Sequence, residues 1–181
     1  MRHGKKYEPA GLAFLRQTGK GVNILRILVL SDSHGDASAV LRAIREQPKA
    51  ELVLHLGDGE EDMAEARALF RDRMFLQVRG NCDFASALPA TDTMMVKGIR
   101  LFFTHGHLYS VKCGDDRLRE AARSCHADVA LYGHTHMAET DYEDGLYLMN
   151  PGSVRGANGS YGIVDITDAG IVTAIVRRKN R

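Results

Sequence analysis

The chain has 181 residues, of which 44% are hydrophobic and 26% are charged, as expected for a single globular domain. Its net charge of +1 excludes an overall electrostatic attraction to nucleic acid or to membrane surfaces as the basis of function. Three cysteines without a C-x-x-C pair argue against a disulfide framework. The sequence shows no signal-peptide pattern and no apolar run long enough to span a bilayer. We therefore predict a cytoplasmic protein.

The first 23 residues mix basic side chains with several glycines and one proline, and they show no clear hydrophobic periodicity. We interpret residues 1–23 as an N-terminal arm, flexible or partner-binding, that precedes a single domain at 24–181.

The first half of the predicted domain alternates strands with helices. Residues 24–30 form a near-continuous apolar run, typical of a strand covered on both faces, and strands are also predicted at 51–56 and 74–78. Apolar spacing predicts a helix at 37–47, and acidic residues in the first turn support another at 60–71. Polar residues follow each strand: Asp32 and His34, then Asp58, then Asn81, Cys82 and Asp83.

The second half of the domain changes to strand pairs. In chain order, the predicted elements are a hairpin at 91–97 and 99–104, a helix at 115–124, a strand at 128–132, and strand pairs at 140–142 with 146–149 and 161–166 with 171–177. This succession predicts an α/β fold with one mixed sheet, or two stacked sheets, and helices on the outside.

Two histidines one residue apart, His134 and His136, follow the predicted strand at 128–132. In an extended segment both side chains would face one point while Thr135 faces away. Such a pair alone is weak support for a metal site. However, five predicted strands end in candidate ligands, and sites in open α/β sheets form at the carboxyl ends of strands. The candidate ligands are Asp32, His34, Asp58, Asn81, His105, His134 and His136.

Seven oxygen and nitrogen donors are too many for one tetrahedral zinc ion and suit two divalent metal ions. Two ions about 3.5–4 Å apart need a bridging carboxylate, and Asp58 is the best candidate because it stands alone between the two paired motifs. Manganese is the expected metal, with Fe, Co, Zn and Ni as alternatives, because Cys82 is the only thiol near these motifs.

Five blocks of the sequence are similar in identity, order and spacing to those of the calcineurin-like metallophosphoesterases, in particular their small single-domain phosphodiesterases. The blocks are Asp32-Ser33-His34, Gly57-Asp58, Gly80-Asn81-Cys82-Asp83, His105-Gly106-His107 and Gly133-His134-Thr135-His136. The resemblance starts near residue 24 and implies a four-layer αββα sandwich, with two mixed β-sheets flanked by helices. It also implies one metal held by Asp32, His34, Asp58 and His136, and another held by Asp58, Asn81, His105 and His134.

The resemblance implies hydrolysis of a small phosphodiester by a metal-bound hydroxide, with no protein nucleophile. Many members of the wider superfamily have histidine after the asparagine ligand, where it can protonate the leaving group or hold the phosphate. Here that residue is Cys82, whose thiol is a poorer acid than imidazolium. Cys82 and His107 are therefore the candidate catalytic residues, and for His107 a structural role is an equal alternative.

Two other functions stay open at this stage: a non-catalytic protein-interaction scaffold, and a metal-dependent hydrolase of another bond, such as an amide. The presence of all seven candidate ligands argues against the scaffold, and the asparagine ligand argues against the amidase.

We expect no membrane partner and no specific nucleic-acid partner, and a homo-oligomer stays open. Further residues have structural alternatives: His55 in the core or supporting a ligand, Asp36 as a helix cap, Asp83 in a turn or orienting a ligand, and Asn150 ending a strand or beside the site.

Overall fold

The computed structural model describes residues 24–178, so the predicted N-terminal arm at residues 1–23 lies outside the described residues. The described residues contain ten strands, three α-helices and one 3₁₀ turn at His107–Tyr109. In chain order the elements are β1 (Leu25–Leu30), α1 (Ala37–Glu46), β2 (Leu52–His55), α2 (Asp62–Leu69), β3 (Met74–Gln77), β4 (Thr91–Val96), β5 (Ile99–Thr104), α3 (Asp116–Ser124), β6 (Val129–Leu131), β7 (Glu139–Glu143), β8 (Leu146–Asn150), β9 (Ser160–Thr167) and β10 (Gly170–Arg177).

The strands form two five-stranded sheets, in the orders β10-β9-β1-β2-β3 and β4-β5-β6-β8-β7. In the first sheet β1, β2 and β3 are parallel, while β9 runs antiparallel to both of its neighbours. In the second sheet β5, β6 and β8 are parallel, and β4 and β7 are antiparallel edge strands. The prediction of two mixed sheets with helices outside is therefore confirmed.

The alternation of side chains along β1 explains why its sequence is apolar throughout. Ile27 and Val29 lie in a core cluster shared by the two sheets, whereas Leu28 and Leu30 pack with residues of α1 and α2. A third cluster joins α3 to the second sheet through Leu118 and its neighbours. The layers are thus α1 and α2, first sheet, second sheet, and α3.

The start of helix α1 is fixed by a polar side chain. The Asp36 carboxylate accepts a hydrogen bond from the Ala39 backbone at 2.9 Å, so this residue caps α1 as predicted. Helix α2 begins at Asp62, two residues later than predicted, and the Glu60 N–H before it donates to the Asp83 carboxylate. No helix among residues 24–178 is long and apolar enough to cross a membrane.

The loops after the parallel strands are joined to one another by backbone hydrogen bonds. The Asp32 and His34 N–H groups donate to Gly57 and Asp58 at 3.1 and 2.9 Å, which connects the loops after β1 and β2. The Gly133 N–H donates to His105 at 3.1 Å, which connects the loops after β6 and β5. Both sheets therefore present their polar loops at one end of the molecule.

Candidate metal centre

Backbone strain is concentrated in the loops that carry the candidate ligands. Nine non-glycine residues in the described part of the chain have positive φ, and five of them are candidate ligands: Asp32, His34, Asp58, His134 and His136. Such conformations cost of the order of 1–3 kcal/mol each and cluster at functional sites. The strain supports a functional role for these loops independently of the sequence motif.

The extended geometry predicted for the His134–His136 segment is wrong. His134 and His136 have φ of 68° and 61°, so both residues are left-handed and neither belongs to a strand. Their rings have different neighbours: the His134 ring lies 4.9 Å from that of His105, and the His136 ring lies 5.2 Å from that of His34, centroid to centroid.

Asp32 is fully buried, and its two carboxylate oxygens differ in their surroundings. Oδ2 accepts hydrogen bonds from the Ser31 hydroxyl at 2.5 Å and the His134 N–H at 3.1 Å. Oδ1 has no hydrogen-bond partner among the described residues, although Nε2 of His136 and His34 lie 3.1 and 3.7 Å away. A buried carboxylate oxygen faced by imidazole nitrogens fits a cation between them.

Asp58 lies between two groups of nitrogen and oxygen donors. Its Oδ2 is 3.4 Å from His105 Nε2 and 3.9 Å from His34 Nε2. On the first side, His105 Nε2 is 3.1 Å from Asn81 Oδ1 and 3.2 Å from His134 Nδ1. On the second side, the Nε2 atoms of His34 and His136 are 3.3 Å apart. The structure thus brings all seven predicted ligands together, in an arrangement that could hold a metal pair.

Asp32 Oδ1 is also 3.9 Å from His105 Nε2, so the Asp32 carboxylate is not restricted to one of the two groups. Three overlapping sets of donors, each within 4.8 Å, could hold an ion: Asp32 with His34 and His136, His34 with Asp58 and Cys82, and Asp32 with Asp58 and His105.

The orientation of His105 is fixed by a backbone carbonyl. Its Nδ1 lies 2.8 Å from the Leu56 oxygen, which can only accept, so Nδ1 carries the hydrogen. Nε2 is consequently free to act as a ligand and points at Asp58 and Asn81.

His55 is part of a buried hydrogen-bond chain rather than a ligand. Its Nδ1 accepts from the Gly57 N–H, its Nε2 donates to the Ser33 hydroxyl, and Ser33 in turn donates to Asp62 Oδ2 at 2.5 Å. Complete burial lowers the pKa of His55 to about 4, which keeps the ring neutral. The chain connects the loop of Asp32 to the loop of Asp58.

Asp83 holds the loops of Asp58 and Asn81 together. Its carboxylate accepts four backbone hydrogen bonds, from Gly80 at 2.7 Å, Asp58 at 2.8 Å, Gly59 at 3.0 Å and Glu60 at 3.1 Å. Burial raises the pKa of Asp83, but these N–H groups outweigh it and the net shift is downward. Of the two predicted alternatives, a turn residue or a residue that orients a ligand, Asp83 combines both.

The glycines beside the ligands are required by close packing. A Cβ atom at Gly80 would lie 2.0 Å from Asp58 Oδ1, and one at Gly133 would lie 2.0 Å from the Ser31 hydroxyl. These positions leave no room for a larger residue, which explains why both motifs contain glycine there.

Cys82 and His107, the two candidate catalytic residues, both lie beside the centre. Cys82 is exposed as a residue, and its N–H donates to Asp58 Oδ1 at 2.7 Å. Partial desolvation of its thiol, together with the nearby Asp58 carboxylate, raises the thiol pKa to about 11. The His107 ring lies 5.4 Å from that of His105, and its Nδ1 is buried without a hydrogen-bond partner among the described residues. Their catalytic roles stay predictions.

Asn150 supports the loop of the two histidines. Its amide donates to the Gly133 carbonyl at 3.0 Å and to the Thr135 hydroxyl at 2.9 Å. Sequence reasoning left this residue open between a site role and a strand end. It did not identify Asp62 at all, because nothing in the local pattern connects that residue to Ser33.

The fold and the centre together define a class of protein. Residues 25–169 match the model of the calcineurin-like phosphoesterase superfamily domain, and the chain belongs to this superfamily, whose members use divalent metal ions.

Particular relatives agree with this assignment. The phosphodiesterase YfcE of Escherichia coli (strain K12) is 31% identical over 170 residues, which cover 78% of this chain and 88% of YfcE. A solved structure from Streptococcus pneumoniae TIGR4, described as a predicted phosphoesterase, has a TM-score of 0.72 at 29% identity and covers 86% of this chain and 90% of that chain. Vps29 of Entamoeba histolytica, solved in complex with zinc, has a TM-score of 0.63 at 22% identity, covers 84% of this chain and 99% of its own, and is similar in fold.

Proposed function

We propose that the protein is a metal-dependent phosphodiesterase that hydrolyses phosphate diesters at a dinuclear centre. The observation that carries this proposal is the pair of buried carboxylates. Asp32 Oδ1 lacks a hydrogen-bond partner within the described residues, and Asp58 Oδ2 lies within 4 Å of nitrogens on both sides. Buried carboxylates surrounded by imidazoles are stabilised best by divalent cations.

In this proposal the Asp58 carboxylate would be a ligand shared by two ions. One ion would be held by Asp32, His34, Asp58 and His136, and the other by Asp58, Asn81, His105 and His134. Manganese is the proposed metal, with Fe, Co, Zn and Ni as alternatives, because the donors are nitrogen and oxygen. When bound, the ions supply a water-derived nucleophile near neutral pH and offset the charge on the phosphate oxygens.

The remaining groups of the chain position these ligands and handle the leaving alcohol. Hydrolysis breaks one ester P–O bond, joins the oxygen of water to phosphorus, and gives a proton to the departing alcohol. A thiol, with an ordinary pKa of about 8.5, is a poorer proton donor than an imidazolium group, so Cys82 is a weak general acid for the leaving alcohol. We therefore propose that diesters with good leaving groups, such as aryl esters, are the better substrates.

The choice of phosphodiesters over other esters is supported by similarity to YfcE, which is named a phosphodiesterase. Two dications and two carboxylates would leave the ligand set about +2, which suits an anionic phosphate group better than a neutral amide. A non-catalytic protein-interaction scaffold is the second candidate. It is supported by sequence similarity, 31% identity over 99 residues, to a Schizosaccharomyces pombe protein named vacuolar protein sorting-associated protein 29.

A substrate panel separates these functions. Metal content and initial rates would be measured with an aryl phosphodiester, the matching phosphomonoester and an aryl amide, for the wild-type chain and for Asp58→Asn as the matched control. We expect the metal-loaded wild type to hydrolyse the diester fastest and the control to be nearly inactive. A metal-loaded chain inactive on all three substrates would favour the scaffold, and hydrolysis of the amide alone would favour the amidase.

A further inference from the structure

A cavity of about 560 Å³ opens directly beside the candidate metal centre. Its wall includes His34 and Asp58 from the centre, Glu60 and Glu61 from the turn before α2, and Phe84 from the loop after Asn81. A substrate whose phosphate lies on the metals would extend one of its ester groups into this cavity, which we call the Phe84 cavity.

Phe84 stands out because its ring is 94% exposed although it lines a cavity beside the metal centre. Leu108 and Met137 are also exposed, at 59% and 70%, and also follow candidate site residues, but neither lines the cavity. The preceding residue, Asp83, is bonded to four backbone N–H groups, so the ring is attached to a well-fixed loop. An exposed aromatic ring at the edge of the site is suited to contact a flat ring of the substrate.

The charges of the residues that line the Phe84 cavity restrict the charge that a substrate ring bound there can bear. None of the residues that line the Phe84 cavity is Lys or Arg. The Asp62 and Asp83 carboxylates are engaged in hydrogen bonds, whereas Glu60 and Glu61 add negative charge to the wall. Glu60 interacts electrostatically with Arg67, but the Arg67 guanidinium donates to the Phe75 carbonyl and the Gln77 side chain.

Two positive side chains act on residues of the centre without lining the Phe84 cavity. Lys112 acts electrostatically on His134, and Arg79 acts on His107, and neither of these cations lines the Phe84 cavity. The site is thus asymmetric in charge, and an ester group with its own negative charge would be repelled from the Phe84 cavity.

We infer that the Phe84 cavity binds an uncharged aromatic ester group of the phosphodiester, with the ring packed against Phe84, while Glu60 and Glu61 disfavour negatively charged ester groups. This inference rests on the proposed function, and it names the class of substrate: diesters with at least one uncharged aromatic ester group.

The test uses binding rather than turnover, with non-hydrolysable analogues of the diester. Affinities of diphenylphosphinate and dimethylphosphinate for the manganese-loaded full chain would be measured by calorimetry. We expect the wild type to bind the diphenyl compound about 10-fold more tightly, because one aromatic pair contributes a factor of this size. Phe84→Ala should lose this preference and keep its metal content and its affinity for dimethylphosphinate, whereas Leu108→Ala and Met137→Ala should keep the preference.

The charge of the wall is tested with a diphenylphosphinate that carries a carboxylate on each ring. We expect it to bind more weakly than diphenylphosphinate, and the double variant Glu60→Gln/Glu61→Gln to reduce that difference. Equal binding of the phenyl and methyl compounds by the wild type, or an unchanged preference in Phe84→Ala, would overturn the inference. If the preference holds but no diester is hydrolysed, the proposed function fails alone; if diesters are hydrolysed without the preference, the inference fails alone.

Discussion

Replacement of Asp83 is the perturbation whose effect the structure defines best. Asp83→Ala removes the acceptor of four backbone N–H groups that belong to two separate loops, one carrying Asp58 and the other Asn81. Asp83→Asn is nearly isosteric, but it removes the charge and keeps only one acceptor oxygen. Asp83→Asn should therefore weaken the hydrogen bonds to the two loops, whereas Asp83→Ala removes them.

The size of the effect follows from the hydrogen bonds. A hydrogen bond to a charged group contributes about 1.5–3 kcal/mol, and four bonds on one carboxylate are not additive. We expect Asp83→Ala to lower the free energy of unfolding by about 4 kcal/mol and Asp83→Asn by about 2 kcal/mol. For a chain of this size, the alanine variant should melt about 10 °C lower. Because both loops carry candidate ligands, metal affinity should fall about 10–100-fold.

The assay is thermal unfolding with and without manganese, combined with a metal-binding titration. Asp168→Asn, on an exposed turn, is the matched control and should change neither quantity. Wild-type stability and wild-type metal affinity in Asp83→Asn would refute the argument that this carboxylate organises the two loops.

The lowered pKa of the Asp83 carboxylate predicts how the stability of the folded chain depends on pH. Its pKa is lower in the folded chain than the ordinary value of about 3.9, so its stabilisation is present above pH 4 and is lost as the pH falls through the folded pKa. The stability difference between wild type and Asp83→Asn should be constant near neutral pH and should shrink below about pH 4. A difference that grows on acidification would contradict this sign.

The remaining predictions concern the ligands, the thiol and the arm. Asp58→Ala should lose both metal ions, whereas His34→Ala or Asn81→Ala should chiefly weaken one, as measured by metal analysis; two ions per chain in Asp58→Ala would rule out the bridge. Wild type should hydrolyse alkyl diesters much more slowly than aryl diesters, since a general acid, typically worth about 10²–10⁴-fold, is missing. Cys82→Ala should change aryl-diester turnover only modestly. A plot of rate against leaving-group pKa that is flat in wild type and steep in Cys82→Ala would instead identify Cys82 as the acid. A chain limited to residues 24–181 should bind metal and hydrolyse activated diesters, and a metal-loaded but inactive product would show that the arm contributes to the site.

Sequence periodicity was sufficient for the order of strands and helices in this fold. The strand β1 is apolar on both faces because it separates α1 from the second sheet, and this produces a pattern that is easily recognised. The candidate ligands were found because they directly follow such strands. Asp58 was identified as the bridging candidate from its position, alone between the two paired motifs, whereas the division of the ligands between two metals came from the resemblance to a known family.

Other features of the site depend on contacts that no local pattern contains. The backbone at His134 and His136 was predicted wrongly as extended, because both residues have positive φ and a strand pattern does not reveal this. The supporting role of Asp83 depends on donors up to 25 residues away in the chain, and that of Asp62 depends on a serine 29 residues earlier. The 3₁₀ turn that contains His107 was missed because three residues are too few to show a periodicity.

The central claim is tested most directly by the rate of bis(p-nitrophenyl) phosphate hydrolysis as Mn²⁺ is added to chelator-treated protein. We predict that the rate rises until two ions are bound per chain and that chelation abolishes it again. Full activity with one ion bound, or no hydrolysis when two are bound, would contradict a dinuclear phosphodiesterase.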